Sequence, residues 1–160
     1  MEQSVEGFIR KNGLIAGACN LVINPLLAWL GNRSMADVPL FPAVLLDTGI
    51  TCVVMALLIS LFVAADTRRA ARSGSIEPAS GPACPKWLSR LPARPRLFGL
   101  ALGGIVAVAA MLCLMIARAL LDVSSMSFVS FALLKAVYTP LLAYVIVRWV
   151  IVRQLSNTSV

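Results

Sequence analysis

Three ionisable side chains, Asp47, Arg118 and Lys135, interrupt stretches of the chain that are otherwise apolar. Near the centre of a bilayer such a residue costs about 2.5–3.5 kcal/mol, so it pairs, faces a helix interior or lines a wet cavity. One carboxylate facing two cations can clamp helices together or hold a charged or polar ligand. Uncharged polar groups recur at comparable depth. Asn20 and Asn24 are four apart and share a helix face, Thr48 and Thr51 flank Asp47, and Tyr138 and Thr139 follow Lys135. The candidate site is therefore an intramembrane polar cluster of Asn20, Asn24, Asp47, Thr51, Arg118, Lys135 and Tyr138.

Other chemistry is poorly supported. The chain has no histidine, which removes the commonest general base, metal ligand and axial haem ligand. Cys19, Cys52, Cys84 and Cys113 form no CxxC pair, and three of them lie in apolar segments, where a thiol behaves as a small hydrophobe. Met55, Met111, Met115 and Met126 share neither depth nor spacing, which suits packing and not a soft-metal path. Asp47 is the sole carboxylate within the apolar segments, and the short loops add Asp37 and Asp122. The expectation is a protein that is not an enzyme and that needs no metal or cofactor.

The elements that must position the cluster are transmembrane helices. Of the 160 residues 59% are hydrophobic and 13% charged, and the mean hydropathy is +0.88, too much apolar surface for a soluble domain of this size to hide. A helix needs ~20 apolar residues to cross a ~30 Å hydrocarbon core. Four segments qualify, at 8–30, 42–65, 97–121 and 128–152, within a single transmembrane domain over 1–160. The fold class expected is an all-α membrane four-helix bundle. The stretch 66–96, rich in Pro, Arg, Ser and Gly, reads as an irregular loop. Asn32-Arg-Ser34 is a glycosylation sequon, relevant only in a eukaryotic secretory setting, whereas the short loops suit a bacterial inner (plasma) membrane.

Charge sets the expected orientation. Of the fourteen Lys and Arg, eleven (Arg10, Lys11, Arg68, Arg69, Arg72, Lys86, Arg90, Arg94, Arg96, Arg148 and Arg153) fall on one side if the spans alternate. That bias places both termini and the long loop in the cytoplasm. The net charge of +7 thus flanks membrane spans and does not point to nucleic acid. The basic loop suits anionic lipid headgroups, with docking on a protein partner as the other reading.

With this orientation Asp47, Arg118 and Lys135 lie ~5–10 Å inward from the external ends of their helices, at ~1.5 Å per residue. All four helices then feed one polar zone open to the outside. Gly13–Gly17 and Gly99–Gly103 are small-xxx-small stripes in two spans that run the same way, and the simplest reading is that helices one and three cross there, with a homodimer contact as the competitor. Val22-Ile-Asn-Pro-Leu-Leu-Ala-Trp-Leu30 resembles Val137-Tyr-Thr-Pro-Leu-Leu-Ala-Tyr-Val145, which suits either an inverted repeat or chance, and both prolines should bend their helices. Function then divides mainly two ways, with an enzyme acting on lipid least favoured for want of an acid–base constellation. The first is a small transporter or channel component, dimeric because four helices are narrow, binding a polar solute or ion. The second is a non-catalytic subunit or regulator packed into a larger membrane complex.

Overall fold

The computed structural model describes residues 4–32, 37–76 and 82–158; Arg33 and most of the sequon lie outside them. Four long helices dominate: α1 (Val5–Asn32), α2 (Leu45–Arg72), α4 (Pro95–Leu121) and α5 (Phe128–Thr158). A five-residue π-helical turn (Leu40–Val44), a short helix α3 (Lys86–Ser89) and two three-residue strands, β1 (Asp37–Pro39) and β2 (Ser125–Ser127), complete the described elements. The apolar helical stretches number 27, 33, 27 and 30 residues. At ~1.5 Å per residue each exceeds ~30 Å of hydrocarbon, so all four reach past the core on at least one side. Leu120 and Leu121 are 80% and 70% exposed and Phe62 72%, as expected of surfaces that lipid covers.

The helices meet in the order α1–α5–α2–α4. α1 lies along α5, α4 lies along α2, and the two pairs join where α2 meets α5. Both glycine stripes are used, but not with each other. A Cβ on Gly13 would sit 2.5 Å from the Tyr144 ring and one on Gly17 3.5 Å from the Pro140 carbonyl, both on α5. A Cβ on Gly99 or Gly103 would come within 2.9 Å of a backbone Cα of α2, Leu57 or Val53. The expected crossing of the first and third spans is therefore corrected. A flat small-residue stripe accepts any close backbone, and here each stripe is filled by an antiparallel helix of the same chain.

The two ends of the bundle differ. One end holds the two strands, which pair antiparallel with Val38 opposite Met126, a link that sequence reading did not anticipate. Ala28, Val38, Val44 and Phe131 form a small buried cluster beneath it. α4 stops at Asp122 in a left-handed conformation (φ 51°), which Asp tolerates better than most residues. The Ser127 hydroxyl accepts from the Ser130 amide at 3.2 Å and caps the start of α5.

The opposite end carries the termini and the long connection. Residues 66–72, expected to be irregular, continue α2 instead. Ala and Arg are good helix formers, and Thr67 Oγ1 and Arg68 Nε donate back to the carbonyls of Val63 and Ala64. α3 is fastened to α5 through an edge-to-face contact of Trp87 with Trp149, centroids 5.2 Å apart. Arg153 donates to the carbonyls of Ser89 and Leu91, and Leu88 is fully buried. The loop is thus partly helical and docked.

Candidate functional site

α2 begins two residues before Asp47, so the carboxylate sits in the first turn of a 28-residue helix, where the helix dipole favours negative charge. Lys135 lies seven residues into α5 and reaches Asp47 Oδ2 with its Nζ at 2.5 Å. The lysine is 1% exposed and the aspartate 32%. The cation is thus sealed while its counter-charge stays accessible. Phe131, one turn before Lys135, places its ring 5.4 Å from the ammonium, adding a cation–π contact. That residue was missed in the sequence, although the i, i+4 spacing of Phe131 and Lys135 signals it.

α1 supplies amides. Asn24 Nδ2 donates to Asn20 Oδ1 at 2.7 Å, and Asn20 Nδ2 donates to the Ala16 carbonyl at 2.7 Å. Thr139 ties α5 to α1, donating to the carbonyls of Lys135 at 2.7 Å and Asn20 at 3.3 Å. Asn20, Asn24, Asp47, Thr51 and Lys135 all line one cleft of ≈ 300 Å³. Its walls are aliphatic, with Ile23 51%, Ile50 62% and Val54 46% exposed. α1 and α2 both rest on α5 but scarcely touch one another, and the cleft is the gap between them.

Two expectations change here. Arg118 does not join the cluster; it lines a separate surface cleft with Met115, Asp122 and Ser124 near the end of α4. Among the described residues it makes no ion pair. The polar zone is built by three helices and not four, because α4 packs chiefly on α2. The cleft itself lies in the gap between α1 and α2. The apolar cluster of Ala28, Val44 and Phe131 lies between the ion pair and the strand end.

Tyr138 belongs to the neighbourhood but not to the cleft lining. Its hydroxyl is buried beside that of Thr48 on α2. Cys52, fully buried one turn beyond Thr48, stands beside the ion pair. The arrangement can hold a small group through one carboxylate and the spare amide and hydroxyl capacity of Asn20, Asn24 and Thr51.

Four helices long and apolar enough to cross a membrane make this a small multi-pass membrane protein. No protein-family model, curated protein or solved structure matches the chain.

Proposed function

We propose that the protein is a small transport-type membrane component that binds a polar or zwitterionic solute at the Asp47–Lys135 pair. The observation that carries this reading is the asymmetry of the pair, a sealed ammonium beside a carboxylate open to a ≈ 300 Å³ cleft. A pair serving only to clamp helices gains nothing from an exposed carboxylate and a polar-floored gap. A ligand cation can share Asp47 with Lys135, while its acceptors meet the amides of Asn20 and Asn24. In this reading both termini and the long connection face the cytoplasm of an inner (plasma) membrane, as the eleven clustered basic residues favour. The site then lies in the outer half of the bilayer.

Purified protein in detergent, melted against a panel of amino acids, small zwitterions and inorganic ions, tests the proposal. A solute at ~100 times its dissociation constant stabilises the fold by about 2.7 kcal/mol, and Asp47→Asn removes that shift. No shift with any solute sinks the reading.

The aliphatic rim of the cleft favours a second reading, a non-catalytic subunit whose partner helix or second copy fills the gap between α1 and α2. Ile50→Trp then changes the assembly size in detergent. The transport reading predicts a lost solute shift at unchanged size.

A further inference from the structure

Beside the Asp47–Lys135 cleft, with which it shares Val54, the α2–α4 groove holds features of its own. At the termini end, Arg68 of α2 and Arg94 and Arg96 at the start of α4 line one cleft of ≈ 480 Å³, with Leu61 and Leu97 as its apolar walls. All three arginines are exposed and no carboxylate lines the cleft. Among the described residues none of the three forms an ion pair. Arg68 donates only Nε–H to a backbone carbonyl, that of Ala64 at 3.1 Å. Further along the same two helices lies a wholly apolar hollow of ≈ 400 Å³, lined by residues that include Val53, Val54, Ala107 and Met111.

Periodicity places the two hollows on one face. Val54, Leu61 and Arg68 are seven apart on α2, and Leu97, Gly104 and Met111 are seven apart on α4, a spacing that returns to nearly the same side of a helix. Between them a Cβ added at Gly104 would meet nothing within 4 Å, so no side chain closes the groove at that point. The fourteen residues from Arg68 to Val54 rise ~21 Å. Half of a ~30 Å hydrocarbon core plus one headgroup layer has that same thickness.

We propose that this groove binds one anionic phospholipid of the adjacent leaflet. Arg68, Arg94 and Arg96 hold its phosphate, and an acyl chain lies over Gly104 toward Met111. Guanidinium groups match phosphate oxygens in forked pairs and are weakly hydrated, which suits an interfacial site. The first turn of α4, a 27-residue helix, adds the positive end of its dipole to the same place. Three cations without a counter-charge select a lipid of net negative charge over a zwitterionic one. The apolar hollow beyond them selects a lipid over a free phosphate.

The test uses the purified full chain in detergent, with phosphatidylglycerol, phosphatidylcholine or glycerol phosphate added, read by native mass spectrometry and by melting temperature. Phosphatidylglycerol is retained and raises the melting temperature; phosphatidylcholine and glycerol phosphate do neither. Each arginine contributes about fivefold to affinity, so the triple variant R68Q/R94Q/R96Q binds phosphatidylglycerol about a hundredfold more weakly. Gly104→Leu extends into open space, melts like wild type without lipid, and loses retention. Equal retention of phosphatidylcholine, an equal shift from glycerol phosphate, or wild-type retention by either variant overturns the proposal.

Discussion

Two charged regions of the molecule are built in opposite ways. In the half nearer the strands, Lys135 is sealed at 1% exposure and neutralised by Asp47. At the termini end, three arginines share a cleft with no carboxylate among its lining residues. Taking an ammonium out of water is expensive, and inside a bundle only a partner at contact distance offsets it. At a membrane surface water and headgroups solvate a guanidinium, so the protein need not supply a counter-charge there. The first arrangement is costly to disturb from within. The second is free to accept an anion from outside.

The strongest way to break this contrast is to remove one partner of the buried pair. Asp47→Asn leaves Lys135 enclosed without a counter-charge and destabilises the fold by about 3 kcal/mol, the low end for a broken buried pair because Asp47 is partly exposed. Lys135→Met costs less, since the remaining carboxylate can hydrate through the cleft, and the double variant recovers most of the loss. Unfolding in increasing dodecyl sulfate, run as a double-mutant cycle, reads the coupling. Equal losses for the two single variants would show that the aspartate is as enclosed as the lysine.

A somewhat smaller effect separates the two sides of α4. Gly103→Leu pushes its Cβ to 2.9 Å from the Val53 Cα, where backbone cannot yield, and should cost about 1–3 kcal/mol. At Gly104 the same substitution meets open space and leaves the melting curve in place. The pair of variants sharpens the comparison by showing which face of α4 is filled by protein.

Ionic strength distinguishes the two charged regions without mutation. Raising salt from ~0.1 to ~1 M shortens the screening length from ~10 to ~3 Å. Retention of anionic lipid at the arginine cleft should fall steeply, while the destabilisation by Asp47→Asn measured in the same buffers should hardly change. The smallest effect belongs to Arg118, which lies in neither region. Arg118→Gln should move stability by no more than ~0.5 kcal/mol, and a larger loss would mean that it has a charged partner after all.

Much of this was legible in the residues, and the reasons are specific. The four spans follow from length and hydropathy, because a bilayer demands ~20 apolar residues at a time. Asp47, Lys135, Asn20 and Asn24 stood out because polar groups are rare in such segments, and all four line one cleft. Arg118 stood out by the same rule and went elsewhere. Depth along a helix can be counted from a sequence, but rotation about its axis and choice of neighbour cannot. The same limit explains Gly13, Gly17, Gly99 and Gly103: their spacing announces close helix contact and says nothing about with whom.

The sequence by itself therefore determined the number of spans, their approximate ends, the charge asymmetry along the chain and the short list of residues too polar for their surroundings. These are one-dimensional properties, set by the free energy of moving each side chain from water to lipid. The tertiary structure alone decided that α1 lies on α5 and α4 on α2, that Asp47 meets Lys135 and not Arg118, and that the cleft lies between α1 and α2. It also decided that Arg68 faces Arg94 and Arg96 across one groove. Those outcomes depend on which surfaces interlock best once all four helices are already in the membrane. Lipid is as apolar as leucine, so hydrophobicity cannot make that choice; close packing at the glycines and pairing of the few charges do.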